Sequence, residues 1–261
     1  MGAPGCFSIN GVSFLAVIGA LHRMDVPARR GEISRERKLR GEITEGLAVV
    51  RSNRLMAALL ALIAILSFFG RPYNQLMPVF AKDVLRVGPR GLGFLMTAPG
   101  IGTVVGSLAL ASAGSRLRLG RLSIAAASVF SAALIGFSWA RFFPLALAFL
   151  MMVGMSQTVA MATINTILQT SVDPGIRGRI ISMYTMLNMG LNPLGTLFAG
   201  ALAASWGAPA VVWGGGIVVA GVTFFVALWT REMIRSVPSG LRQHPSKGLR
   251  PPGKNISERS R

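Results

Sequence analysis

Charge is scarce in this sequence and unevenly placed. Charged side chains make up only 14% of the 261 residues, where an ordinary soluble domain carries about a quarter. They are missing altogether from residues 55–70, 91–115, 122–140, 142–172 and 180–230. Water-soluble folds of this size rarely hold uncharged runs of that length, whereas a bilayer core needs about 20 apolar residues per helix. The only cysteine, Cys6, excludes an internal disulfide and a thiolate metal centre. The two histidines, His22 and His244, lie far apart in polar flanks, and read more simply as solvated surface residues than as catalysts or ligands. HExxH, GxxxxGK[ST] and GxSxG are all absent, so no enzyme, metal site or cofactor is expected.

What remains is apolar. Hydrophobic residues make up 52% of the chain and its mean hydropathy is +0.56. The pattern predicts an all-α, polytopic membrane bundle. Residues 5–21 form a marginal apolar run with Arg23, Arg29 and Arg30 behind it and no basic residue before it. That is the reverse of a secretory signal, and 1–21 reads as a partial span. Residues 22–54 are basic; Leu39, Ile43, Leu47 and Val50 stand at near-helical spacing, which fits an amphipathic helix on the membrane face or a plain linker. Six spans are expected across 55–230, at about 55–80, 91–113, 122–140, 143–168, 180–203 and 209–229. The last two are separated by the Gly/Pro-punctuated turn ASWGAP at 204–209. The Pro-, Ser- and Arg-rich segment 231–261 is expected to be disordered and cytoplasmic.

The formal charge of +18 suggests nucleic acid until the positions are examined. If 22–54 is cytoplasmic, 22 of the 27 basic residues fall on that side, while the opposite side holds only Lys82, Arg86, Arg90 and Arg141. The bias is that of the positive-inside rule. The expected partner is therefore the lipid bilayer of the inner cell membrane, with no nucleic acid, and the carboxy terminus is expected to be cytoplasmic.

Arg71 is the strongest single signal. It is the seventeenth residue of a span begun at Leu55, roughly 25 Å along a helix, and Arg at a span centre costs roughly 2.5–3.5 kcal/mol on insertion scales. Such a residue either faces a cavity or partner or snorkels to the headgroups past Pro72. Ser67, Arg71 and Gln75 recur every four residues and are expected on one face, with Asn74 nearby. Gln157, Thr158, Asn165 and Gln169 share part of the fourth span, and Tyr184, Asn188 and Asn192 form a stripe on the fifth. The third and sixth spans contain no Asn or Gln. Amides in hydrocarbon are costly unless paired. The first, fourth and fifth spans are thus expected to face an interior while the third and sixth can face lipid; hydrogen bonds that merely join helices are the plainer account of some amides. Gly102 and Gly106 stand in GxxxG spacing, Gly190, Gly195, Gly200, Gly214, Gly215, Gly216 and Gly221 dot the last two spans, and Pro99 and Pro193 are candidate bends.

The segments EGLAVVRSNRLMAALLALIAILSFFGRPYNQLMPVFAKDVL at 45–85, GLGFLMTAPGIGTVVGSLAL at 91–110 and DPGIRGRIISMYTMLNMGLNPLGTLFAG at 173–200 resemble the second half of a major facilitator superfamily exporter. The likeness is greatest to the macrolide-efflux and enterobactin-exporter branch. On that map 5–21 is similar to the end of the sixth helix, and 55–229 to helices seven to twelve. The resemblance implies alternating access with proton-driven efflux (antiport) of a small amphipathic, drug- or siderophore-like molecule. It also implies a path lined by Arg71, Asn74, Gln75, Gln157, Asn165, Asn188 and Asn192, with Arg71 attracting anionic groups. Gly114, Gly120 and Arg121 resemble a degenerate copy of the family's cytoplasmic gate motif without its Asp, and Asp173, Arg177, Gly178 and Arg179 match its DxxxRGR-like loop. The expected partners are a small-molecule substrate and the missing amino-terminal half. A truncated, non-transporting fragment or one subunit of a split transporter are the alternatives. No acidic residue lies inside an expected span, so a coupling carboxylate is expected in the other half.

Overall fold

A backbone in hydrocarbon has no water to bond, so uncharged runs of this length must satisfy their N–H and C=O groups within helices. A computed structural model describes residues 53–112, 118–172 and 174–230, together with the helical residues Leu15 and Gly19. The chain divides into two units, Met1–Gly41 and Glu42–Arg261, and the account below concerns the second. Expectations for 1–21 otherwise, for 22–52, for 113–117, for Asp173 and for 231–261 lie outside the described residues.

Every regular element among the described residues is helical. The first span is one rod, Arg54–Val84. It consists of α1 (Arg54–Ile65), a π turn (Leu66–Gly70), α2 (Tyr73–Val79) and a second π turn (Phe80–Val84). Asn53 starts it, its Oδ1 accepting from the backbone N–H groups of Leu55 and Met56 at 3.1 and 3.3 Å. Then come α3 (Gly88–Ser112), α4 (Leu119–Trp139) and α5 (Phe143–Thr170). The fifth span joins α6 (Pro174–Thr185), a third π turn (Met186–Gly190) and α7 (Leu191–Trp206); α8 (Ala208–Trp229) is the sixth. Five of these six are long and apolar enough to cross a membrane. The fifth falls outside that group because Asn188, Asn192 and Pro193 dilute its middle. The expected turn at 204–209 closes on Gly207, whose φ of 82° suits glycine.

Each π turn lies within three residues of a proline: Pro72 after the first, Pro78 before the second, Pro193 after the third. Proline removes an N–H and crowds the preceding turn, and a locally widened helix absorbs both effects.

Glycine sets how the rods pack. A Cβ on Gly102 would overlap the Met151 carbonyl, one on Gly106 the Met155 carbonyl, and one on Gly154 the Pro99 carbonyl. The GxxxG pair is therefore spent inside the chain, where α3 and α5 cross backbone to backbone. Gly195 of α7 and Gly215 of α8 meet the carbonyls of Phe68 and Phe69 in the same way, fastening both helices to the first π turn.

The lack of amides leaves the third span, α4, able to face lipid, and half of its window stays at least partly exposed while the other half packs inward, with one face packed between α5 and α8. Its small residues Ser123, Ala126, Ala127, Ser131 and Ala133 allow the approach. Its serines reach an interior without a partner helix because they bond their own turn: Ser123 donates to the Gly120 carbonyl at 3.0 Å and Ser138 to that of Ile135 at 2.6 Å. α8 carries exposed Ile217, Phe224, Phe225 and Leu228, a surface suited to lipid. Trp139, Trp206 and Trp213 lie at one end of the bundle, at the close of α4 and α7 and the start of α8, as an interfacial aromatic belt would.

Gly154→Ala is expected to destabilise the detergent-purified protein by about 1–3 kcal/mol, the usual cost of overpacking. Gly100→Ala, where a Cβ meets nothing, should be neutral or slightly stabilising. Thermal unfolding of the two variants side by side checks this, and equal melting points would reject the α3–α5 crossing.

Candidate functional site

Arg71 follows the first π turn directly. It stands 17 residues from one end of the Arg54–Val84 rod and 13 from the other, so even the nearer end is about 20 Å away along the axis. A side chain placed there points to protein, not to headgroups. Its Nη1 donates to Oδ1 of Asn188 at 2.8 Å, across 117 residues of sequence. Asn188 itself lies within the third π turn, Met186–Gly190. The two widened turns of the first and fifth spans are thus tied by one charge-assisted bond.

That bond forms part of the wall of a cleft of about 420 Å³ lined by Arg71, Thr103, Gln157, Thr158, Met161, Ala162, Asn165, Tyr184 and Asn188. Thr158 donates its hydroxyl to Thr103 Oγ1 at 3.2 Å, joining α5 to α3. Gln169 Nε2 donates to Asn165 Oδ1 at 3.0 Å, one turn along α5. The Nε2 of Gln157 is buried and has no hydrogen-bond partner, as is true of Ser67 Oγ. The lining includes no carboxylate. On the other side of the same rod, Phe68, Phe69, Tyr73, Phe198, Trp206 and Val218 line a second, apolar pocket of about 190 Å³.

Of the residues expected along a path, Arg71, Gln157, Asn165 and Asn188 come together in this cleft, and Asn74, Gln75 and Asn192 do not line it. The expected shared face of Ser67, Arg71 and Gln75 is broken: Ser67 is buried, Arg71 half-buried and Gln75 exposed. One extra residue in a turn rotates everything beyond it by about 100°, so the first π turn takes Ser67 out of line with Arg71, while the tighter i→i−3 bonds from Asn74 to the Arg71 carbonyl and from Gln75 to the Pro72 carbonyl carry Gln75 past it. The third does the same to the Tyr184–Asn188–Asn192 stripe, leaving Asn192 outside. Thr103 was not among the residues singled out in the sequence, because the second span offers no amide beside it; its place between Gly102 and Gly106, next to a tight crossing, was the available signal. Of the loop residues, Gly120 is buried in the first turn of α4, Arg121 and Arg177 are exposed, and Arg179 is half-buried. Gly114 and Asp173 lie outside the described residues. Asp83, three residues beyond the expected end of the first span at 80, is the penultimate residue of the first rod and is exposed.

Comparison with known proteins agrees with this architecture. A family model described as a transmembrane secretion effector matches residues 1–247. No curated protein and no solved structure matches the chain.

An unpartnered buried amide is costly, about 1–3 kcal/mol. Gln157→Met, close in shape and free of that N–H, is expected to raise the melting temperature of the purified protein. A lowered melting temperature would mean that the Gln157 amide has a partner.

Proposed function

The chain belongs to the transmembrane secretion effector family of the major facilitator superfamily, a family of transporters and not of enzymes, and from that membership we propose that it exports small amphipathic molecules by alternating access. It is a multi-pass membrane protein; its placement in the inner membrane with the carboxy terminus in the cytoplasm is part of the proposal and rests on the distribution of basic residues. The observation that carries the proposal is the cleft: a half-buried arginine, three amides and two threonine hydroxyls gathered from α3, α5 and the first and fifth spans. A soluble binding site would have no reason to stand midway along rods of this apolarity. Polar groups at mid-membrane mark substrate routes more often than they mark structure.

Arg71, Gln157, Asn165 and Asn188 are the groups we assign to the path, with Thr103 and Tyr184 beside them. Asn74, Gln75 and Asn192 would join it only on the opposite face of a second bundle or in another conformation of the rods. The helices that edge the cleft leave apolar side chains uncovered: Phe94, Met96, Ile101, Val104 and Leu108 on α3, and Met186, Met189, Leu194 and Leu197 on the fifth span. A second helical bundle of the same superfamily architecture, packed on those two edges, would close the cleft into a path and supply the surface against which this bundle rocks. Drive by the proton gradient would then draw on a carboxylate of that second bundle, because this cleft holds none. The residues of 114–121 and 173–179 fit the cytoplasmic gate loops of such a machine, with Gly120, Arg121, Arg177 and Arg179 on or beside α4 and α6.

In the assembled transporter Arg71→Leu is expected to lower transport efficiency for anionic substrates roughly tenfold to hundredfold, the loss that goes with one charged hydrogen bond, while membrane insertion is unchanged. Unaltered kinetics in a normally inserted variant would reject a pathway role for Arg71.

A further inference from the structure

The hydrogen bonds inside the cleft consume acceptors and leave donors. Arginine can only donate, so the bond to Asn188 fixes that amide with its oxygen toward Arg71 and its NH2 turned away. Asn165 likewise spends its carbonyl oxygen on Gln169. Thr103 and Thr158 share one hydroxyl–hydroxyl bond, which uses one of their two protons and leaves the other to give. Gln157 lines the cleft and holds a buried amide NH2 without a partner. Arg71 uses one N–H of five on Asn188, and among the described residues no carboxylate pairs with it. A wall with a fixed positive charge and surplus donors is complementary to a planar, two-oxygen anion, which a guanidinium binds through two parallel N–H···O bonds.

We propose that this cleft is a carboxylate seat, in which Arg71 and Gln157 hold the carboxylate of an organic acid and the Asn188 carbonyl occupies Arg71 when no anion is bound. Binding turns the Gln157 NH2 into the cleft and displaces Asn188 from the guanidinium. Arg71 directly follows the widened turn of the first span and Asn188 lies within that of the fifth, so the anion replaces the side-chain hydrogen bond described between them, while the close contact of Gly195 with the Phe68 carbonyl keeps the two rods packed. This names a substrate class for the transport reading above and rests on the same cleft. The test, however, reads binding to the full chain and needs no transport. A failure of transport with the carboxylate bound would count against the transport reading alone.

The probes are benzoate, its neutral isostere benzamide and the cation benzylamine, each titrated into the full-length chain in a non-ionic detergent while thermal unfolding is followed. Benzoate is expected to raise the melting temperature in a saturable way, and benzamide and benzylamine to leave it unchanged. Arg71→Gln should weaken benzoate affinity by about tenfold or more, and Gln157→Met by a smaller factor. Asn188→Asp guards against misfolding of the arginine variant: it places a carboxylate on Arg71 permanently, and should keep or raise the melting temperature while abolishing the benzoate response. Equal shifts with benzoate and benzamide would overturn the proposal. So would a benzoate shift that survives in Asn188→Asp, or the absence of any shift in the wild-type chain.

Discussion

A guanidinium near the middle of a membrane rod needs both a partner and an environment, and the bond from Arg71 to Asn188 supplies the first. An unpaired charge at that depth costs several kcal/mol whichever scale is used, and the rod extends about 20 Å beyond it toward the nearer end. Much of the described bundle is consistent with that one demand. The first and fifth spans are brought close enough for a 2.8 Å contact. Gly195 makes the approach possible by lying on the Phe68 carbonyl. The amides and hydroxyls of α5 and α3 complete the polar wall around the charge.

The π turns are the device that makes the placement compatible with helices. A regular helix puts a side chain every 100° and allows no adjustment in aim. Widening one turn re-aims all that follows, and here it does so just before Arg71 and around Asn188. Prolines close to each turn make the widening inexpensive, since they have already removed a backbone donor from the ladder. Such turns are common at functional sites for this reason. The same turns separate the polar cleft from the apolar pocket walled by Phe68, Phe69 and Phe198, so that one stretch of chain presents opposite chemistry on its two sides.

The fold was largely legible because its determinant, uncharged length, is written directly in the sequence. Six helical rods lie where six spans were expected, five of them long and apolar enough to cross a membrane, and the turn at Gly207 was marked by the local Gly and Pro. The site was legible in composition but only partly in geometry. Arg71, Gln157, Asn165 and Asn188 stood out as polar residues in apolar surroundings, and they do meet. Gln75 and Asn192 were expected beside them from fourfold spacing, which assumes an unbroken α-helix and fails at the tightened i→i−3 turn after Arg71 and at the π turn around Asn188. The interior face of α4 was missed because serine hydroxyls return to their own helix and let a polar-looking face be buried with no amide to announce it. Thr103 was missed because a hydroxyl in an apolar span is too common to single out without knowing which glycines touch.

The central claim is that Arg71 governs a water-accessible cleft within the membrane-spanning bundle. Single cysteines at Thr103 and Asn165, in a chain whose Cys6 is replaced by Ser, test it most directly when membranes are treated with thiosulfonate reagents of opposite charge. Relative to their rates with a free thiol, the anionic reagent should label both positions faster than the cationic one, and that preference should vanish with Arg71→Gln. Labelling at both positions no faster than at a cysteine placed at Phe224, on the exposed face of α8, or a preference for the cationic reagent, would contradict the account.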